Sequence, residues 1–323
     1  MKPPLLFAAA CAFSFAAVID ARADEPYPAK PVRIIVPYPA GGVADLLPRT
    51  VGQKLSDKWG QPVIVENKPG ASGNIGMAEG ARAAADGYTI VLAPTGNLTV
   101  NQFLFNNLPF DAARDFTPIT VLATSPNVLV VHPSVPAKTF RELIDYAKAN
   151  PGKLNFASPG EGSGAHLAGE LLNIEAGIKT THIPYKGMAP AVTDLLGGQV
   201  QVYFGTTASS IEYVRSGKLR ALAVTTATRA AALPDVPALA EFLPTYEASI
   251  FVGIVAPRGT PADIIGTLNQ NINLALNDPK MKQRIAELAD TPLALSVADF
   301  AKLIADDTEK WAKVIRASNI KPQ

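Results

Sequence analysis

Four glycine-rich turns hold most of the residues in this chain that could bind a ligand. Each turn follows an apolar run typical of a β-strand and precedes a segment with helical periodicity. The turns span residues 37–43, 93–97, 158–164 and 205–210. A helix that begins at such a turn directs free backbone N–H groups and the positive end of its dipole towards one point. The chemistry that this pattern predicts is the binding of an anion by backbone donors.

The side chains of the four turns narrow the class of anion. None of the turns contains lysine or arginine. Neutral hydrogen-bond donors come from Thr95, Asn97, Ser163 and Thr206. Phosphoryl groups usually bind to arginine or lysine, often with a metal ion, whereas a few N–H groups and hydroxyls can hold a carboxylate. The turns therefore favour a carboxylate, and Tyr38, Val43 and Phe204 would form apolar walls around the rest of the ligand.

The elements that must position these turns alternate between apolar, β-branched runs and segments of helical period. Strands are predicted at residues 32–36, 63–66, 88–92, 119–123, 128–132, 155–157, 181–183, 200–204, 221–224 and 250–255. The alternation predicts an α/β fold with largely parallel sheets. In open sheets of this class, ligands bind beyond the carboxyl ends of the strands. All four turns are expected at such ends.

A catalytic interpretation of the third turn does not fit its spacing. A nucleophile elbow has the pattern G-x-S-x-G with serine at its centre, but Gly162 occupies the centre of residues 160–164. His166 lies only three residues after Ser163, which suits an anion contact, a helix cap or a structural histidine better than a triad base. The chain has three scattered histidines and one cysteine. The sequence therefore predicts no catalytic residue, no metal site and no cofactor.

Residues 1–23 have the features of a secretory signal peptide. Lys2 gives a basic start, residues 5–19 form an apolar run, and residues 21–23 read A-x-A, as a cleavage site does. The run is shorter than the roughly 20 residues that a membrane span needs, which disfavours a membrane anchor. Cleavage after Ala23 removes the only cysteine and leaves as many basic as acidic residues. We expect an exported, soluble protein that does not bind nucleic acid.

The remaining 300 or so residues are enough for two hydrophobic cores. No linker rich in proline, glycine or serine divides the chain, so strands are expected to cross between two lobes. Crossings near residues 119–132 and 250–255 would place residues 24–123 and 252–323 in one lobe and 124–251 in the other. With two of the turns in each lobe, the sequence predicts a cleft whose hinge closes on a ligand.

A series of motifs resembles the Bug-type substrate-binding proteins of tripartite tricarboxylate transporters over nearly the whole mature chain. The motifs are KPVRIIVPYPAGG (30–42), GQPVIVENKPGASGNIG (60–76), DGYTIVLAPTG (86–96), PNVLVVHPSVPAKT (126–139), PGKLNFASPGEGSGAHLAGEL (151–171), HIPYKGMAPAVTDLLGGQV (182–200) and GKLRALAVT (217–225). The resemblance implies a two-lobed type II periplasmic binding protein fold, a Venus flytrap with two crossover strands, which closes on an organic carboxylate.

The resemblance also implies which residues contact the ligand. By this resemblance, the expected ligand contacts in and beside the first and third turns are Tyr38, Ala40, Gly41, Gly42, Val43, Asp45, Ser158, Gly162, Ser163, Gly164 and His166. Thr95, Gly96 and Asn97 are expected contacts from the second turn, and Gly205 and Thr206 from the fourth. Relatives commonly have polar residues where this chain has Val43 and Ala44, and amino-acid-binding relatives often have an acid at the position of Gly205. Both departures favour an aromatic or aliphatic carboxylate over an amino acid.

The leading hypothesis is a monomeric periplasmic receptor that captures a dicarboxylate, tricarboxylate or aromatic carboxylate and delivers it to the membrane subunits of a tripartite transporter. Two alternatives remain open at this point. A ligand sensor that signals to a membrane partner would use the same binding chemistry. An exported hydrolase would use Ser163 and His166, against the spacing noted above.

Overall fold

The computed structural model describes residues 27–41 and 43–322 of the chain. The predicted signal peptide and Gly42 of the first turn lie outside the described residues. Within the described ranges, no helix is both long enough and apolar enough to cross a membrane.

Eleven strands in the described residues form two separate sheets. In chain order they are β1 (Val32–Val36), β2 (Val63–Asn67), β3 (Thr89–Pro94), β4 (Phe116–Ser125), β5 (Asn127–Val131), β6 (Asn155–Ser158), β7 (Thr181–Pro184), β8 (Val202–Thr206), β9 (Arg220–Val224), β10 (Ile250–Pro257) and β11 (Thr291–Pro292). All ten strands predicted from the sequence are present, with ends shifted by at most three residues. The additional strand, β11, has two residues and is too short to show a period.

The two sheets are mixed, so the prediction of largely parallel sheets is wrong in part. The first sheet has the order β11-β4-β10-β3-β1-β2, and the second β7-β6-β8-β5-β9. β1 runs parallel to β2 and β3, and β6 runs parallel to β7 and β8. β10 and β5 run antiparallel to both of their neighbours. Each of these two strands enters its sheet from the other sheet, at the edge where the parallel strands end.

Helices cover the faces of both sheets. In chain order they are α1 (Val43–Trp59), α2 (Asn74–Ala81), α3 (Asn101–Leu104), α4 (Ala112–Asp115), α5 (Phe140–Ala149), α6 (Gly164–Ala176), α7 (Met188–Leu196), α8 (Thr207–Arg215), α9 (Ala262–Asn277), α10 (Pro279–Glu287) and α11 (Val297–Ala317). Two helices begin at a side-chain cap: Thr139 accepts the N–H of Glu142 at the start of α5, and Ser296 accepts that of Asp299 at the start of α11. α1, α6 and α8 each begin at a predicted turn.

The chain passes between the sheets at two neighbouring connections, as the two-lobed fold requires. The first is Pro126, between β4 and β5, and the second lies just before β10. The side chain of Asn127 donates to the carbonyl oxygen of Ala248 at 3.3 Å, which ties the two connections together. This pair of crossings is the natural place for a hinge.

The C-terminal helix α11 packs against the cores of both sheets, a feature that the sequence did not predict. Near its start, Phe300 lies edge-to-face on Phe251 of the first sheet, with ring centroids 5.7 Å apart. Further along, Trp311, Val314 and Ile315 belong to the apolar core of the second sheet. α11 thus forms a further bridge between the sheets beside the two crossings.

A buried carboxyl group lies beside the first crossing and should make stability depend on pH. Asp290 is 8% exposed, and its Oδ1 accepts the hydroxyl proton of Ser125 at 2.7 Å. Its Oδ2 is buried and has no hydrogen-bond partner in the part of the chain that the structure describes. Burial raises the pKa of this carboxyl to about 6. The folded state therefore binds the proton more tightly than the unfolded state, so stability is lost as the pH rises from about 4 to about 6 and stays lower above pH 6.

We expect Asp290→Asn to stabilise the protein at pH 8, because the amide keeps the bond to Ser125 without a buried charge. The upper bound is about 3 kcal/mol, from the pKa difference between the folded and unfolded states. The gain should nearly vanish at pH 4, where the wild-type carboxyl is protonated when folded. Urea unfolding of both proteins at the two pH values measures this. Equal free energies of unfolding at pH 8 would contradict it.

Candidate functional site

A cavity of about 330 Å³ lies between the carboxyl-end turns of the two sheets. It is lined by Tyr38, Ser72, Gly96, Asn101, Leu104, Phe105, Pro159, Gly160, Glu161, Gly162, Ser163, Gly164, Ile320 and Lys321. Five predicted site residues are among them: Tyr38, Gly96, Gly162, Ser163 and Gly164. The third turn therefore forms one wall, and residues from the first and second turns contribute to the other.

The buried carboxylate of Asp45 fixes the first turn through a hydrogen bond to its backbone. Asp45 is 3% exposed and accepts the backbone N–H of Gly41 at 2.9 Å. It also accepts from Arg49 Nε at 3.0 Å and from Asn67 Nδ2 at 2.8 Å. The hydrogen bond from Arg49 is the main reason why the pKa of Asp45 is lowered to about 2. The Asp45 side chain therefore fixes the turn that presents Ala40 and Gly41, both exposed, while Gly42 and the Val43 side chain lie outside the description.

The second turn is connected to the first by a pair of side chains. The hydroxyl of Tyr38 donates to Asn97 Oδ1 at 2.8 Å, and Asn97 Nδ2 donates to the carbonyl oxygen of Ser72 at 3.0 Å. Burial raises the pKa of Tyr38 to about 12, so the phenol keeps its proton. Thr95 is buried, where it accepts the N–H of Phe251 at 2.8 Å. Of the predicted contacts in this turn, Gly96 alone lines the cavity, and Thr95 and Asn97 position it.

The third turn presents a hydroxyl and a helix N-terminus to the cavity. Ser163 caps α6 by accepting the backbone N–H of His166 at 3.4 Å. As an acceptor in the cap, the half-buried hydroxyl retains its own proton for another partner. Gly162 has φ +70°, and a Cβ added there would lie 2.3 Å from Leu104 Cδ1 on the other wall. The positive φ therefore favours glycine here, and a larger residue would also displace the Leu104 side chain.

Ser158 and His166 lie behind the third turn and do not line the cavity. Ser158 is fully buried and His166 is 5% exposed. Burial is the main cause that lowers the pKa of His166 to about 3. The His166 ring accepts the N–H of Gly162 through Nδ1 at 3.0 Å, whereas Ser163 bonds the backbone of His166. This geometry does not make the histidine a base for Ser163, which removes the structural support for a hydrolase.

The fourth turn also stays away from the cavity. Thr206 caps α8 by accepting the N–H of Ser209 at 3.4 Å. A Cβ at Gly205 would lie 2.3 Å from Ser210 Oγ, so local packing alone accounts for glycine at this position. Phe204 is buried in the core of the second sheet rather than in a ligand wall. The structure thus brings parts of the first three predicted turns together around the cavity, whereas the fourth turn does not line it.

Several residues that line the cavity were not predicted from the sequence, and Lys321 is the most important of them because it is charged. It follows α11 in a tail that is fixed to α6 by a hydrogen bond from Ser318 Oγ to Glu170 Oε2 at 3.1 Å. Among the described residues that line the cavity, Lys321 is the one cation and Glu161 the one anion. The turns themselves lack basic residues, but the tertiary structure brings one to them from the far end of the chain.

The described residues show no group of three or more His, Cys, Asp or Glu side chains that could hold a metal ion. The cavity lining offers hydroxyl and backbone donors, the ammonium group of Lys321, the carboxylate of Glu161 and apolar surface.

Comparisons with known proteins show what the chain is similar to. Residues 47–320 match the model of a family described as the tripartite tricarboxylate transporter family receptor. The chain is 39% identical over 297 residues to the protein BugT of Bordetella pertussis, covering 91% of each chain. The structure is similar to that of R. palustris Rpa4515 with adipate, with a TM-score of 0.76 and 34% identity over 92% of this chain and 100% of the other. It is also similar to MatC of Rhodopseudomonas palustris with bound malate, with a TM-score of 0.70 and 29% identity over 90% of this chain and 100% of the other.

Proposed function

The chain belongs to the family of tripartite tricarboxylate transporter receptors, which are periplasmic solute-binding proteins and not enzymes, and from this premise we propose that it captures a small aliphatic dicarboxylate. The similar proteins solved with adipate and with malate support a ligand of this class. The residues of this chain's own cavity support it independently.

The observation that carries the proposal is the placement of donors at separate parts of one cavity. Ser163 and the N-terminus of α6 can hold one carboxylate, since a helix N-terminus with a free hydroxyl favours an anion. Lys321 can hold a second carboxylate. Tyr38 and Leu104 provide apolar surface for the carbon chain between them. A volume of about 330 Å³ is at the lower end of the range for small-molecule sites, which suits a ligand of this size.

We further propose that the protein works as a monomer that delivers its ligand to the membrane subunits of a tripartite transporter. Residues 24–123 with 252–323 would move as one lobe and residues 124–251 as the other, about the crossings at Pro126 and before β10. A sensor that signals to a membrane partner would bind ligand by the same contacts. Capture of membrane partners on the ligand-loaded protein separates the two roles, since a transporter subunit supports delivery and a signalling protein supports sensing.

A panel of matched ligands tests the proposed ligand class on the chain from residue 24 onward. We expect adipate and malate to raise the melting temperature and hexanoate, which lacks the second carboxylate, to bind at least tenfold more weakly than adipate. Thermal shift and calorimetry give the two readouts. The absence of any shift across aliphatic and aromatic carboxylates would count against carboxylate capture.

Lys321→Gln tests the second carboxylate contact. We expect adipate affinity to fall at least about tenfold, which corresponds to the lower end of the loss for one hydrogen bond to a charged group, about 1.5 kcal/mol. Hexanoate affinity should stay within twofold of wild type. Lys282→Gln, on the exposed surface of α10, is the matched control and should leave both affinities unchanged. Equal losses of affinity for adipate and hexanoate would contradict a contact between Lys321 and the second carboxylate.

A further inference from the structure

Two stacked histidines lie directly behind the ligand-facing turn 158–164, and His182 belongs to none of the predicted contacts. The His166 and His182 rings are 3.6 Å apart at an interplanar angle of 8°. We propose that this pair positions the turn for ligand: His166, as its Nε2–H tautomer, holds Gly162, and His182 holds Gly160 through Ser158. This inference rests on the proposed function, because it concerns the wall that would bind a carboxylate.

The contact to Gly162 fixes the protonation state of His166. The backbone N–H of Gly162 donates to Nδ1 at 3.0 Å, so Nδ1 must carry a lone pair. A neutral ring then has its proton on Nε2. Glu170 Oε1 lies 3.9 Å from that nitrogen, on the side where a negative charge favours an N–H group. A protonated ring would place a second N–H against the N–H of Gly162 and break the contact.

The contact to Gly160 runs through one hydroxyl proton. Ser158 Oγ lies 2.8 Å from the carbonyl oxygen of Gly160 and 2.6 Å from His182 Nε2, and it accepts the N–H of Gly160 at 3.2 Å. The single hydroxyl proton can serve one acceptor. All three contacts are satisfied only when Ser158 donates to Gly160 and His182 donates from Nε2 to Ser158. The second ring therefore orients the hydroxyl that closes the beginning of the turn.

These bonds act on the two residues of the turn that are hardest to hold in place. Gly160 has φ +151° and Gly162 has φ +70°, in a region where glycine is free to adopt many conformations. Each is held by one histidine, and Ser163 and Gly164 follow directly. Burial keeps both rings neutral at neutral pH, because it lowers the pKa of His166 to about 3 and that of His182 to about 4. The pair thus preorganises the donors before ligand arrives.

Replacement of His166 by two different residues separates positioning from packing. The asparagine side chain of His166→Asn would place an acceptor near the site of Nδ1, so this variant should bind adipate within threefold of wild type. His166→Leu keeps the apolar packing but has no acceptor, and it should bind adipate at least tenfold more weakly. Hydrogen exchange of the Gly162 amide should be fast in the leucine variant and slow in the asparagine variant and wild type. Equal affinities for the leucine variant and wild type would overturn the proposal.

His182→Gln and His182→Leu provide the second pair in case changes at position 166 impair folding. Glutamine can still donate to Ser158, so His182→Gln should keep the affinity for adipate and His182→Leu should lose it at least fivefold. In the wild type, ¹⁵N chemical shifts should show both rings protonated at Nε2 at pH 7, a result that needs no ligand. Protonation of His166 at Nδ1 would overturn the proposal whatever the affinities are. If no carboxylate binds but the tautomers and Gly162 protection are as expected, the proposed function fails and the positioning of the turn stands.

Discussion

Gly162→Ala should weaken adipate binding at least thirtyfold, which corresponds to about 2 kcal/mol. An added Cβ would lie 2.3 Å from Leu104 Cδ1, well inside van der Waals contact, so the Leu104 side chain would have to shift and the shape of the cavity would change. The φ of +70° adds a cost of about 1 kcal/mol for any residue with a Cβ. Calorimetry with adipate gives the affinity, and urea unfolding gives the stability.

Two further variants separate the clash from the backbone cost. Gly177 also has a positive φ, of +59°, but a Cβ there would meet open space, so Gly177→Ala should lower stability without changing affinity. Leu104→Ala added to Gly162→Ala removes the clashing group and should restore part of the affinity. If Gly162→Ala binds adipate as tightly as wild type, the contact between the two walls does not form in the ligand-bound state.

Asp45→Ala should cost about 2–3 kcal/mol of stability and release the first turn. The substitution leaves Arg49, Asn67 and the N–H of Gly41 without the acceptor that they share. Because Arg49 is exposed and can turn to water, the loss is that of the hydrogen bonds to a charged carboxylate rather than that of a stranded buried charge. Denaturant unfolding at pH 7 measures the loss. Asp57→Ala is the control: Asp57 lies on the same helix but is exposed, where it accepts from Gln53, and its removal should cost less than about 0.5 kcal/mol.

The pH dependence of this effect follows from the lowered pKa of Asp45. The folded-state value of about 2 is below the usual value near 4, so the stabilisation is fully present above pH 4 and is lost as the pH falls towards 2. The difference between wild type and Asp45→Asn should therefore shrink as the pH falls from about 4 to about 2. A difference that stays constant over this interval would mean that the carboxylate charge contributes nothing to the turn.

Much of the fold could be predicted because its signals are local. Each of the ten predicted strands is an apolar run of its own, and Thr139 and Ser296 are cap residues directly before their helices. The strand directions of β5 and β10 could not be predicted in this way. Their residues look like those of parallel buried strands, and only the crossing between the sheets reverses them.

The candidate site, too, could be predicted from the sequence only in part. The motif around Gly162 and Ser163 predicted that this turn would contact a ligand; the structure places the turn in the wall of the cavity of about 330 Å³, and the ligand contact stays a prediction. The sequence also suggested Ser158, His166 and Asp45 as ligand contacts. The structure instead directs their side chains to backbone N–H groups of the turns, at Gly160, Gly162 and Gly41. Residue type indicated that these side chains were polar and near a turn, but not which way they point.

The sequence by itself determined the α/β class, the glycine turns that begin helices, and the family, because these depend on residues close together in the chain. The tertiary structure alone decided that Leu104 limits position 162, that His182 stacks on His166, and that Lys321 supplies a positive charge to turns that have none. These contacts join residues distant in sequence, and packing of the helices α6 and α11 against the two sheets brings them together. A local sequence pattern cannot predict contacts between residues so far apart in the chain, so the chemistry of the cavity is a property of the folded chain.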